Sequence, residues 1–172
     1  MRKDGHPIYS RPGHLIRRLH QIAVAIFMAE TKSFNITPVQ YSALLAVEMH
    51  PGIDQTTLVN IIAYDRSTIG NVVSRLESKN WIKRASGSGD RRSKRLTITP
   101  QGREVLRAID STVDRSQALI LAPLKSAERP VFIDMLERLV RLNNSRSRAP
   151  MGPPLQVAGE PKGARRLVQS KR

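Results

Sequence analysis

In the stretch "DRSTIGNVVSRLESKN", residues 65–80, short hydroxyl and amide side chains recur three and four residues apart: Ser67, Asn71, Ser74 and Ser78, with Thr68 and Arg75 flanking them. At about 100° per residue these positions share one side of a helix, while Ile69, Val72, Val73 and Leu76 share the other. Side chains of this size can exchange hydrogen bonds with phosphate oxygens and base edges. Asparagine suits adenine, and arginine suits guanine or phosphate. Gly70, in the middle, costs about 1 kcal/mol against alanine in a helix interior, which a flank that must approach something closely would justify.

A second group follows at once. "SGSGDRRSKRLTIT", residues 86–99, places glycines, one aspartate and four cations between the strand-like segments "WIKRA" and "RLTIT". Gly87 and Gly89 permit a thin hairpin tip, so that Arg91 and Arg92 reach beyond the body, the shape a narrow, electronegative minor groove accepts. Asp90 is placed to orient a neighbouring arginine through a charge-assisted bond, with Arg92 as the groove probe. Lys83, Arg84, Lys94 and Arg95 lie on the strands, and with Arg91 they are candidate phosphate contacts. A basic hairpin by itself is commonly a solvated edge. Its position directly after two short helices joined by a tight turn favours a nucleic-acid role.

The elements that must position these groups are legible as periodic segments. An amphipathic helix runs from Pro12 to about Lys32, and a second from Thr37 and Pro38 to about His50, stopped by Pro51 and Gly52. Asp54 can cap a third through Ile62, and Asp65 a fourth to about Asn80. Thr99 and Pro100 open a fifth through Leu119, which Pro123 interrupts, and a sixth spans 126–142. Helices three and four, with a turn at Ala63 and Tyr64, have the layout of a helix-turn-helix. The expectation is six helices and one hairpin.

Charge points the same way. The 172 residues carry 29 Lys and Arg against 14 Asp and Glu, a net +15 that suits a polyanionic partner. Residues 66–107 hold eleven cations and three acids, and residues 143–172 seven cations and one acid. The latter segment, rich in Pro, Gly, Arg and Ser, is expected to be a disordered basic tail. No cysteine is present, which excludes disulfides and thiolate metal sites and fits a reducing compartment. No apolar run approaches a membrane span, so a soluble, cytoplasmic protein is expected, with no membrane partner. The four histidines lack metal-ligand spacing, and no nucleophile elbow, phosphate loop or dinucleotide fingerprint occurs. No metal, cofactor or enzymatic role is therefore expected.

Taken together, "TPVQYSAL" from Thr37, "DRSTIGNVVSRLE" from Asp65, "DRRSKRLTIT" from Asp90 and the following "TPQG" resemble the MarR family of winged helix-turn-helix transcription regulators. The wing pattern of that family is matched by Asp90, Arg92, Ile98 and Thr99. The resemblance spans about residues 12–142. It implies a mainly α fold with a small β-hairpin wing: a winged helix part at 37–99 with its wing at 82–99, and a helical dimerisation part at 12–36 and 100–142. Residues 1–11 are then a flexible arm. The resemblance further implies a homodimer, with the apolar faces around Ile109 and Leu136 as its interface, on a palindromic operator in double-stranded DNA, acting as a repressor released by a small ligand. Members often bind aromatic carboxylates or phenols between the first helix, the second helix and the DNA-binding lobe. The first helix carries His14, Arg18 and Gln21 on one face with Arg17 and His20 at its edge, and these residues with Tyr41 would suit a small aromatic anion. The competing possibility is an architectural protein that binds DNA without regard to sequence.

Overall fold

The computed structural model describes residues 7–86 and 94–153. Among the described residues, six α-helices and three short strands follow in order: α1 (Pro12–Glu30), α2 (Pro38–Met49), β1 (Ile53–Asp54), α3 (Gln55–Ile62), α4 (Arg66–Ser78), β2 (Ile82–Ser86), β3 (Lys94–Ile98), α5 (Pro100–Leu121) and α6 (Glu128–Asn143). Helix starts fall where the sequence offers an acceptor for otherwise orphaned N–H groups. Thr37 and Gln40 form a reciprocal capping box at α2. Asp54 accepts from the Thr57 N–H at 2.8 Å, Asp65 from the Thr68 N–H at 2.8 Å, and Thr99 from the Gly102 N–H at 3.0 Å. Among the described residues, no helix is long and apolar enough to cross a membrane.

The strands form one antiparallel sheet in the order β1-β3-β2. The expected hairpin is thus part of a three-stranded sheet. Ile53 pairs with Leu96 and Asp54 with Arg95, while Ile82 pairs with Ile98 and Arg84 with Leu96. The strand boundaries also move by one residue, because Thr99 caps α5 instead of extending β3.

Leu44, Val47, Leu58, Ile69, Val73, Leu76, Ile82 and Leu96 are fully buried and pack α2, α3 and α4 against the sheet. The four apolar residues expected on the inner side of α4 are all buried. Trp81 closes this core at the start of α5, where Gly102 lies so near that a Cβ on it would stand 2.2 Å from the Trp81 carbonyl oxygen.

Phe27 of α1 and Ile109 and Val113 of α5 extend the core upward. This corrects one expectation: Ile109 has no exposed surface and belongs to the chain's own interior, not to an interface with a partner. Leu136 is half-buried. Helix α6 buries none of its residues, and Val131, Met135, Leu139 and Val140 are between 48% and 63% exposed.

The expected disordered tail also needs correction in its first part. A 3-10 turn at Asn144–Arg146 follows α6, the Asn144 side chain bonds to the Met151 backbone, and the Gly152 N–H donates to the Asn60 carbonyl.

Candidate nucleic-acid interface

The outward side of α4 is fixed from both ends. At its start the Asp65 carboxylate accepts hydrogen bonds from the Ser67 hydroxyl at 2.6 Å, the Thr68 hydroxyl at 2.7 Å and the Thr68 N–H. Those three donors, the Ser67 hydroxyl foremost, hold the carboxyl well below the usual carboxylate range. Because an ionised carboxylate only accepts, both hydroxyl protons are directed at Asp65. Ser67 and Thr68 therefore present lone pairs outward and act as acceptors, for example from base amino groups.

Further along, Asn71 and Arg75 are exposed, and their side chains make no hydrogen bond or ion pair among the described residues. Ser74 is also exposed but accepts from the Arg84 guanidinium at 3.0 Å. The Nε of that arginine lies 3.0 Å from Glu77, an ion pair without aligned hydrogen-bond geometry. Arg84 is thus turned onto α4 with its side chain only 22% exposed. It braces β2 against the helix, a duty different from the phosphate contact expected of it.

The strand register sorts the remaining cations. Cross-strand partners share a face and alternate residues change face. Lys83 opposite Thr97 and Arg95 opposite Ala85 therefore lie on the side away from Arg84 and Leu96. Both cations are exposed. Arg95 donates to the Gly52 carbonyl at 3.2 Å and comes within 3.9 Å of Asp54, so it ties β3 to β1 while remaining half exposed. Lys94 is exposed at the tip end of β3. Asp90, Arg91 and Arg92 lie outside the described residues.

Two contributors escape the sequence reading. Arg66 opens α4 and donates to the Thr56 hydroxyl at 3.0 Å, joining the first turns of the two helices on an exposed edge. A cation in a helix's first turn opposes the macrodipole, and that signal could have marked it as facing an anion. Lys79 donates to the Asn35 carbonyl and lies 4.4 Å over the Trp81 ring, tying the end of α4 to the turn after α1. Burial, with Arg75 nearby, lowers its pKa from the ordinary lysine value.

The candidate effector residues are only partly brought together. Arg17 and Arg18 both donate to the Gln21 side-chain oxygen, at 3.1 and 3.2 Å. His14 is half-buried edge-on to Tyr9 at 5.6 Å, and His20 is exposed. Tyr41 instead packs 5.9 Å from Phe27. Along α1, Phe27 is about 9 Å beyond Gln21 and about 13 Å beyond Arg18. Burial and the carboxylates of Asp110 and Asp114 push the Tyr41 phenol above its ordinary value. Tyr41 is therefore separate from the arginine cluster and in a negative field that disfavours an anion.

This arrangement, a hydrogen-bonding helix braced by a basic wing, has counterparts of known family. A family model described as the MarR family matches residues 34–93. The PcaV transcriptional regulator from Streptomyces coelicolor is 34% identical with a TM-score of 0.69, and the match covers 79% of this chain and 99% of PcaV. The chain belongs to the MarR family. As a MarR-family protein it is a DNA-binding transcriptional regulator with a winged helix fold. Other MarR-like relatives are similar over most of their length. NicR, an HTH-type transcriptional repressor of Pseudomonas putida, is 26% identical over 135 residues, 78% of this chain and 85% of NicR. BpsR of Bordetella bronchiseptica, solved in connection with regulation of its DNA binding by 6-hydroxynicotinic acid, is 25% identical with a TM-score of 0.73, covering 78% of this chain and 96% of BpsR.

Proposed function

We propose that this MarR-family chain is a homodimeric repressor that reads a palindromic operator and is released from it by a small aromatic acid. In this reading α4 enters the major groove. Asn71 and Arg75 are its base-reading donors, with Ser67 and Thr68 as acceptors and Ser74 at the edge. Lys83, Lys94 and Arg95 grip phosphates, and Asp90, Arg91 and Arg92 form the wing tip in the minor groove. The observation that carries it is the outer face of α4: Asn71 and Arg75 are exposed without partners among the described residues, on a helix locked at its start by Asp65 and along its length by Arg84. Such pre-organisation of the helix suits reading, since only the Asn71 and Arg75 side chains remain to be ordered on binding. The exposed apolar residues of α6 favour a dimer, which a two-fold operator requires.

For the effector, Arg17 and Arg18 share one neutral amide acceptor and no carboxylate among the described residues, which favours an anion near Gln21. His14 and His20 flank it, and Tyr41 is left out. The aromatic acid that regulates DNA binding by BpsR supports the chemical class. Titration of a palindromic site from the protein's own promoter region and of scrambled DNA, at one salt concentration, tests the core of the proposal. Binding to the site by at least a hundredfold over scrambled DNA is expected; equal affinities would make the chain an architectural binder. A screen of aromatic carboxylates for release from the same fragment, with thermal shift as the check for direct binding, tests the effector.

A further inference from the structure

The glycines of the described helices differ in what fixes them. Gly102 has the Trp81 carbonyl against it, and Gly13 stands at the start of α1. Gly70 is in the interior of α4, where glycine is the least favourable residue after proline. Nothing within the described chain demands it there. Its φ is outside the left-handed region, which among the described glycines only Gly52 occupies. A Cβ at position 70 would meet a single further atom within 4 Å, the Gln55 side-chain nitrogen at 3.6 Å, an ordinary contact with the end of a flexible side chain. The bare backbone at Gly70 is therefore explained from outside the chain.

Its surroundings say what could come there. On the wheel of α4, Gly70 lies about 40° from Arg66 and from Ser74, and about 6 Å along the axis from each. Both neighbours are pinned: the Arg66 guanidinium donates to the Thr56 hydroxyl at 3.0 Å, and the Ser74 hydroxyl accepts from Arg84 at 3.0 Å. Between them, Gln55 at the start of α3 rests against the glycine. Gln55 is half-buried, and its side chain is bonded to nothing among the described residues. The carboxylates that end the preceding segments are engaged elsewhere, Asp54 with Thr57 and Asp65 with Ser67 and Thr68. Arg66 is exposed, makes no ion pair among the described residues, and has five N–H donors of which Thr56 takes one. A guanidinium and an amide beside a backbone without a side chain match the oxygens of a phosphate that approaches closely. In helix-turn-helix docking the first helix crosses the phosphate backbone while the second lies in the groove. The crease between the first turns of α3 and α4 is then where a strand passes.

We propose that this crease is a seat for one backbone phosphate in each half-site. Arg66 and Gln55 are its donors, and Gly70, by carrying no side chain, sets how deeply α4 enters the groove. The proposal rests on the DNA-reading role of α4 given above. It adds to that role a steric determinant of depth, distinct from the side chains that read bases.

Full-length variants are tested for stability and binding together. Gly70→Ala removes a helix penalty without a clash inside the chain, so its melting midpoint should rise by about 2–4 °C. Its affinity for the operator should nevertheless fall on the order of tenfold, because the added methyl group holds the phosphate away. Arg66→Gln should lower the salt slope of operator binding by about 0.9. Gln55→Ala should weaken binding a few-fold with the slope unchanged, since it removes no charge. Ethylation interference on the operator locates the phosphate: interference at one phosphate in each half-site is expected to vanish in Arg66→Gln and Gly70→Ala while the other positions persist. Undiminished operator affinity in Gly70→Ala overturns the seat. So does a loss of affinity accompanied by a lower melting midpoint, which would make Gly70 a packing residue. An unchanged slope and interference pattern in Arg66→Gln overturns phosphate as the occupant. In these three cases the wild type still prefers its operator and the reading role of α4 stands. Failure of the wild type to prefer the operator over scrambled DNA overturns both proposals.

Discussion

At the scale of single residues, similar side chains near one surface take different duties according to what they touch. Asn71 is exposed and unpaired among the described residues, so Asn71→Ala is expected to leave folding and binding to scrambled DNA unchanged. It should reduce the preference for the operator by about tenfold or more, since a good base contact is worth roughly 1–3 kcal/mol. Competition titration gives both numbers, and undiminished preference would remove Asn71 from the readout. The two neighbouring cations of β2 separate in the same way. Lys83→Ala should lower the salt slope of binding by about 0.9 with no loss of stability. Arg84→Ala should leave the slope alone and cost stability of about 1 kcal/mol, because its bonds to Ser74 and Glu77 are half-screened by solvent. Salt titration and urea unfolding of the two variants distinguish a phosphate contact from a brace. Asp65 adds a pH signature. Its pKa in the folded chain is depressed by bonds to Ser67 and Thr68, so its contribution is complete above the unfolded aspartate value, near 4, and is lost as pH falls toward the folded value. Asp65→Ala should therefore lower Tm at neutral pH, and its gap to the wild type should narrow in melts below about pH 4. A constant gap would mean that the carboxylate charge is irrelevant to the cap.

At the scale of elements, the junction of wing and α5 is the least forgiving point. Gly102→Ala drives a Cβ into the Trp81 carbonyl, a backbone atom that cannot swing away. A loss of about 3 kcal/mol in urea unfolding is expected, and a cost below about 1 kcal/mol would show that α5 can slide at its first turn. The reverse change is available in the turn of the helix-turn-helix, where Ala63 is left-handed with φ of 53°. Ala63→Gly removes the strain of a Cβ there and should stabilise by about 0.5–1 kcal/mol in the same assay, after the added chain entropy is offset. These elements differ in how far local chemistry announces them. Thr37, Asp54, Asp65 and Thr99 stand where a cap is needed, and Ile69, Val72, Val73 and Leu76 repeat at helical spacing, so the helices and the buried side of α4 can be read from neighbours in the chain. β1 cannot, because two residues show no period and its pairing partner, β3, lies some forty residues away. Long-range contacts likewise decide that Ile109 is interior, that Arg84 turns inward, that Tyr41 packs on Phe27, and that Asn144 closes a loop with Met151. In each case the residue type suits two environments, and only the tertiary partner chooses.

At the scale of the whole molecule, the proposed dimer turns on α6. On a helical wheel Val131, Met135, Leu139 and Leu142 fall within about 80° of one another, whereas Ile133 and Val140 lie nearly opposite. All six are at least 40% exposed. A helix apolar on two sides needs partners on two sides, and the described residues of the single chain cover neither. Leu15, Ile16 and Ile22 of α1 are also open, between 45% and 58% exposed. A monomer would carry this surface at a solubility cost, whereas a second copy could interleave its own α6 and remove it from water. Burying one such side chain contributes about 1.5–3 kcal/mol, so a charge placed there on both copies should prevent association. Leu139→Arg is the sharpest choice, because its site is 54% exposed in the chain and the substitution disturbs no internal packing. Sedimentation equilibrium should show a dimer for the wild type and a monomer for the variant, with circular dichroism unchanged. Operator affinity should then fall on the order of 10²-fold or more, as two linked half-site contacts become independent. Binding to an isolated half-site should be preserved. A variant that stays dimeric would place the interface elsewhere, and a monomer that keeps full operator affinity would mean that a single winged helix suffices and the two-fold reading of the site is wrong.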